Sequence, residues 1–264
     1  MTAEFLRSLF ERRNRGVRRL DREIIRSYES VLPSAVTILT SQVLYDRFRG
    51  RVVPAIGVGA GFVIDSNSKE AIIVTNAHVA EGARGGQMQI ETSGVINGKQ
   101  DDKAKKSLSI DTSKIYLSPN HDIAFISVDL TKYPGLKLPK VRLSNDNLLP
   151  AGKSVLTIGA PHALEDTLSP NNYIARSNTI EATDPLGRTD KYIQLGGAIN
   201  QGNSGGMTVD HSYRKPKVVG MVTLGVQGDP TTGFMLPVSI IKSEYAKYQD
   251  MRSGRRISGR SAAA

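Results

Sequence analysis

The sequence predicts an all-β fold of antiparallel barrels, and two observations carry the prediction. Between residues 33 and 242, short runs rich in Val and Ile alternate with Gly, Pro, Asn and Asp turns. That spacing favours antiparallel barrels over βαβ units. The length, 264 residues, is enough to bury a sizeable core in one or two domains.

The elements follow in order. Val17, Leu20, Ile24, Tyr28 and Val31 recur at helical spacing with arginines opposite, so residues 1–32 are expected to form a basic amphipathic helical extension. Strands are expected at 35–41, 61–65, 71–75, 87–91, 123–128, 154–158, 191–195 and 217–225. The Lys-, Asp- and Ser-rich stretch 92–114 reads as an exposed insertion. The β domain is set at 33–245 with a short helix at its end. Residues 246–264 read as a basic, disordered tail.

Charge is concentrated at the two ends. Residues 1–32 carry eight Arg against five acids, and 242–264 carry six Lys or Arg against two, so they hold +3 and +4 of the net +10. The simpler expectation for the first segment is packing on a barrel or on another subunit; contact with nucleic acid or an anionic membrane is the alternative. The absence of cysteine excludes a disulfide framework and a thiolate zinc site. Four scattered histidines, His121, His162 and His211 among them, make no metal site, and no cofactor is expected. The first residues contain no apolar run long enough for a signal peptide or a membrane span. As written, the chain is expected to be cytoplasmic; removal of a leader would make it an exported protein.

Three polar positions stand out against this background. Gly202-Asn203-Ser204-Gly205-Gly206 puts a serine on a turn stripped of side-chain bulk. Such a turn can present a hydroxyl beside backbone N–H donors, as an acyl-transfer nucleophile requires. Residues 71–80, Ala-Ile-Ile-Val-Thr-Asn-Ala-His-Val-Ala, form a buried strand that ends in a polar corner carrying His78. Asp122 stands just before the apolar run Ile123-Ala124-Phe125-Ile126. Taken singly, these read as a Gly-rich turn, a structural histidine and a turn-forming aspartate. In the order His, Asp, Ser they match one of the known triad arrangements.

Here the chain resembles the chymotrypsin-fold serine proteases, and within them the HtrA (DegP-type) group. The resemblance rests on Gly59-Ala60-Gly61-Phe62-Val63-Ile64, Val74-Thr75-Asn76-Ala77-His78-Val79 and Asp122-Ile123-Ala124-Phe125-Ile126. It continues through Gly152-Lys153-Ser154-Val155-Leu156-Thr157-Ile158-Gly159-Ala160-Pro161, Ile193-Gln194 and Ala198-Ile199-Asn200-Gln201 into the glycine-rich run. Gly220-Met221-Val222-Thr223 and Gly233-Phe234-Met235-Leu236-Pro237 complete it. It implies a trypsin-like fold of two six-stranded barrels, with His78 and Asp122 on the first and Ser204 on the second. It further implies His78 as general base, Asp122 as its orienting acid, and the N–H groups of Gly202 and Ser204 as an oxyanion hole. Asn203 stands where digestive-type relatives carry an acid, so no N-terminal ion pair is expected to activate the chain. Met207 replaces the usual proline and would leave the oxyanion segment less stiff. After residue 242 too little chain follows for a PDZ domain.

The same resemblance implies a specificity pocket with Ala198 and Ile199 at its base and Thr223, Leu224 and Gly225 on its wall. No carboxylate is among them, so an unpaired cation is rejected and small or medium aliphatic side chains are preferred. The main chain at Thr223–Gly225 would pair with substrate as an added strand. The function expected is serine endopeptidase action on unfolded or extended polypeptide, in protein quality control or in processing of a dedicated target, with homo-oligomerisation left open. The alternative is a catalytically silent or ligand-activated peptide-binding chaperone or scaffold of the same fold.

Overall fold

Burial separates two kinds of strand. Gln87–Thr92 alternates exposed and buried side chains, with Met88 and Ile90 inside, as a strand with one face on the core must. Glu70–Thr75 is buried along almost its whole length, which requires cover on both faces. The computed structural model describes residues 20–46, 50–83, 86–96, 99–100, 105–145, 149–159, 167–172, 180–184, 187–196, 202–226 and 229–254.

The first half holds β1 (Ala35–Asp46), β2 (Arg51–Ser66), β3 (Glu70–Thr75), β4 (Gln87–Thr92), the small hairpin β5 (Val95–Ile96) and β6 (Lys99–Gln100), β7 (Ser107–Ile110), β8 (Ile115–Leu117) and β9 (Ala124–Asp129). The second holds β10 (Ser154–Gly159), β11 (Thr167–Asn172), β12 (Ile180–Thr183), β13 (Thr189–Gly196), β14 (Met207–Asp210), β15 (Lys217–Val226) and β16 (Asp229–Pro237). Helix α1 covers residues 20–31; α2 is the short Ala77–Glu81 and α3 is Val238–Arg252. The strand runs expected from the sequence lie within these strands, except that Ile123 falls one residue before β9.

The strands make two seven-stranded antiparallel sheets, β7-β4-β1-β2-β3-β9-β8 and β11-β10-β14-β15-β16-β13-β12. The second closes on itself where β11 meets β13 at Asn172 and Gly196, a circuit of six strands with β12 appended. The stretch 92–114 is not simply an exposed insertion. Ser-Leu-Ser-Ile at 107–110 alternates with the pleat, pairs with β4 and buries Leu108 and Ile110 in the first sheet's core.

Each sheet has an interior of its own, but the largest apolar cluster lies between them. It joins Phe62, Val74, Ile123 and Phe125 of the first half to Ile158, Tyr192, Met207 and Met221 of the second. The connecting segment adds backbone staples, since Val141 N donates to Val63 O and Ser144 N to Val218 O.

Both helical extensions dock on this seam. In α1, Val31 is buried and Tyr28 packs against the cluster, while Leu20 and Ile25 are exposed. Val17 lies outside the described residues. Helix α3 leaves the second sheet and packs on the first, with the Tyr245 and Tyr248 rings 5.5 and 5.1 Å from that of Phe125. Tyr245 Oη donates to Asp65 Oδ2 at 2.9 Å, and the Arg252 guanidinium grips Glu70 at 2.7 and 3.0 Å. These anchors carry the helix to Arg252, so residues 246–252, expected to belong to a disordered tail, are helical. No helix among the described residues is long and apolar enough to cross a membrane.

Two consequences are testable. Phe125→Ala removes the ring on which α3 rests and is expected to lower stability by about 3–5 kcal/mol in denaturant unfolding. His211 is buried, its carbonyl accepts from Ser27 Oγ of α1 at 3.5 Å, and burial pushes its imidazole below the ordinary 6.5. A lowered value means the fold favours the neutral ring, so its stabilising contribution is full above pH 6.5 and lost as pH falls through the folded-state value. Urea unfolding of His211→Gln is therefore expected to change less between pH 7 and pH 5 than that of the parent protein.

Candidate active site

Sheet register brings the first two polar residues together. Strands β3 and β9 are neighbours and Thr75 lies opposite Ala124, so the corner after β3 and the loop before β9 leave the sheet at one edge. Helix α2 begins at buried Ala77 and turns His78 toward Asp122. His78 Nδ1 lies 2.6 Å from Asp122 Oδ2, and the His78 backbone N–H donates to Asp122 Oδ1 at 2.9 Å. A carboxylate opposite Nδ1 requires the proton on that nitrogen and leaves Nε2 as an acceptor. Asn76 Nδ2 ties the corner further, donating to Asp122 O at 3.0 Å and to Thr223 Oγ1 at 3.1 Å.

Ser204 comes from the other sheet, three residues before β14. Its carbonyl accepts from Ala60 N at 2.8 Å, and the Gly205 N–H donates to Val222 O at 2.9 Å. Gly202 and Gly205 have φ values of 95° and 85°, a region that L side chains avoid. Gly205 is doubly constrained, because a Cβ there would run into the Ala60 carbonyl and Thr75 Oγ1. The Ser204–Gly205 backbone is thus pressed onto Ala60 and Thr75, the edge from which the chain runs into α2 and His78. The Ser204 hydroxyl donates to Thr223 O at 3.4 Å; among the described residues it shares no hydrogen bond with His78.

The N–H groups of Gly202 and Ser204 meet no acceptor among the described residues. Ala198 and Ile199 lie outside the described residues. On the wall, Thr223 is buried at a bulge in the β15–β16 pairing, Leu224 is half-buried and Gly225 exposed. Met207, which replaces the proline usual among relatives, is fully buried in the seam and paired with Met221. Asn203 is also buried, and its Oδ1 has no partner among the described residues.

A polar frame behind Asp122 was not foreseen from the sequence. Arg188 Nη2 donates to Asp122 Oδ1 at 3.0 Å, Arg188 Nη1 to Ser118 O at 3.1 Å, and Arg188 Nε to Asp184 Oδ2 at 2.6 Å. His121 Nδ1 lies 2.6 Å from Asp190 Oδ1. Burial pushes the Asp190 carboxyl up, against the His121 hydrogen bond and the Asp122 backbone N–H, both of which lower it. Ser118 Oγ donates to Glu244 Oε2 of α3 at 2.7 Å. Burial raises the Glu244 carboxyl, but hydrogen bonds from Lys247 and Ser118 outweigh it and hold the group below its ordinary value. The one local signal for this frame was Asp184-Pro185-Leu186-Gly187, a turn sequence between β12 and β13. Among the described residues no group of three or more His, Cys, Asp or Glu is arranged to hold a metal ion.

The Gly205 contact yields a test of how the serine is held. Gly205→Ala is expected to cost at least about 1–3 kcal/mol in backbone strain and to displace Ser204 from the His78 edge. Unchanged unfolding midpoints with unchanged Ser204 reactivity toward a fluorophosphonate would contradict that assignment.

Comparison with known proteins identifies the family and the fold. The family described as Trypsin-like peptidase domain matches residues 59–221. Serine protease HTRA1B of Danio rerio is 29% identical over 202 residues, covering 75% of this chain and 36% of the relative. Serine protease HTRA3 of Homo sapiens is 31% identical over 206 residues, covering 76% of this chain and 40% of the relative. The chain therefore spans well under half the length of these relatives. The crystal structure of the Rv3671c protease from M. tuberculosis in its active form superposes with a TM-score of 0.59 at 22% identity, covering 82% of this chain and 81% of that one. That likeness supports the fold, and the match over 59–221 supports the assignment: the chain belongs to the trypsin-like peptidase family, with HtrA-type serine proteases among its relatives.

Proposed function

We propose that the chain is a serine endopeptidase that cuts unfolded or extended polypeptide through an acyl-enzyme on Ser204. The observation that supports this most is the 2.6 Å contact of His78 Nδ1 with Asp122 Oδ2, beside a serine fastened to the same edge through Ala60. In this reading Ser204 Oγ attacks the scissile carbonyl carbon while His78 Nε2 takes its proton. The charge that develops on the carbonyl oxygen is met by the N–H groups of Gly202 and Ser204. Asp122 steadies the imidazolium; Nε2 then returns the proton to the leaving nitrogen as the C–N bond breaks. Water, activated by the same imidazole, releases the acyl group. The wall of Thr223, Leu224 and Gly225, with Ala198 and Ile199, carries no charge and suits small or medium aliphatic side chains.

A ligand-activated form of this function has a specific support. The Ser204 hydroxyl donates to the Thr223 carbonyl, an acceptor that a substrate strand along Thr223–Gly225 would claim for its own N–H. Substrate pairing would release Ser204 to turn toward His78.

Labelling with a fluorophosphonate probe, alongside digestion of casein with cleavage sites mapped by mass spectrometry, tests the proposal. Ser204→Ala is expected to keep its circular dichroism spectrum, to lose labelling, and to lose kcat by about 10⁴- to 10⁶-fold. Wild-type cuts are expected after Val, Ile or Ala. Folded wild type that neither labels nor cleaves, with or without added peptide, would leave only the silent peptide-binding reading.

A further inference from the structure

The Asp122 side chain has no exposed surface, and its two oxygens are held by groups from different parts of the fold. Oδ2 faces His78 Nδ1. Oδ1 accepts from the His78 backbone and from Arg188 Nη2, which lies 66 residues further along the chain in the turn that leads into β13 of the other sheet. Arg188 is itself nearly buried, with 14% of its side chain exposed. It is held at its base by Asp184, whose Oδ1 accepts the Arg188 backbone N–H at 2.8 Å and whose Oδ2 accepts Nε at 2.6 Å. Its remaining nitrogens divide between the acid and the loop that carries it, Nη2 to Asp122 and Nη1 to the Ser118 carbonyl.

Rotation of an aspartate carboxylate about its last bond is soft and roughly two-fold. Both remaining hydrogen bonds to this side chain come from one residue, His78, so they set its plane only relative to the residue that it must orient. A planar guanidinium with donors in a rigid fork fixes it well. We propose that Arg188 is a positioning residue for the reaction: it locks the Asp122 carboxylate so that Oδ2 faces His78 Nδ1, and it fixes the loop at Ser118 in the same plane. The inference rests on reading His78, Asp122 and Ser204 as the catalytic triad. Lysine cannot replace it, because an ammonium is a point charge that does not reach Asp184, Ser118 and Asp122 together in one plane. A purely structural ion pair would behave differently, since a retained positive charge would preserve turnover and only stability would change.

The test compares wild type, Arg188→Lys and Arg188→Met as full chains, with Asp122→Asn as reference. Readouts are kcat and KM on a fluorogenic peptide with valine before the reporter, the rate of fluorophosphonate labelling, and the folded fraction from circular dichroism. Per folded molecule, both Arg188 variants are expected to lose kcat by roughly 10- to 100-fold with KM within about twofold, as for a misplaced catalytic group. Labelling should slow in parallel, and lysine should not restore it. If the methionine variant fails to fold, the lysine variant, which keeps a cation between Asp122 and Asp184, decides alone. Wild-type kcat in Arg188→Lys, with only a lowered melting temperature, would overturn the inference and leave the protease reading intact. Wild type that does not label, with Asp122→Asn no different from it, would overturn the triad reading and this inference with it.

Discussion

The Asp122 carboxylate has no contact with solvent, so its charge must be met by donors inside the protein, and the surrounding chain is arranged to supply them. The register of β3 against β9 delivers His78 to one oxygen. The β12–β13 turn delivers Arg188 to the other, and Asp190 from the same hairpin steadies the neighbouring His121. Helix α3 closes the frame through Glu244. The acid belongs to the first sheet by sequence, yet much of its support comes from residues that follow it by 66 positions or more.

The seam between the sheets does comparable service for the serine. An apolar cluster shared by both halves fixes their spacing, and within that spacing the Gly205 backbone fits against Ala60 and Thr75 with no room for a side chain. Close packing converts a small lateral shift into a lost contact, which is why the serine's place depends on residues far from it. Met207 illustrates the exchange of one restraint for another. The backbone stiffness that proline would bring is absent, but a fully buried side chain in the seam anchors the strand that begins there.

Local pattern made much of this legible in advance. The Val- and Ile-rich runs mark strands, and the corner after Val74-Thr75, the acid before Ile123 and the glycines around Ser204 each carry their own short-range signature. Strand β7 was missed because Ser107-Leu108-Ser109-Ile110 is short and set in a polar stretch, where a two-residue period is easily masked. The reach of α3 was underestimated because its anchors, Glu70, Asp65 and Phe125, lie more than a hundred residues earlier. Arg188 was invisible for the same reason. The sequence around it spells a turn, and nothing nearby says that its guanidinium crosses to the other sheet.

The route of α3 has a consequence for how the molecule comes into being. Residues 238–252 are synthesised more than a hundred residues after Phe125 and Tyr116, yet they cover those two rings and hold Ser118 beside the acid. Until they emerge, a nascent chain presents an uncovered aromatic face, a surface that holdase chaperones recognise and that favours aggregation. Over the same interval the loop bearing Asp122 lacks its last brace. Assembled in this order, the frame around the acid is completed only once the helix has docked.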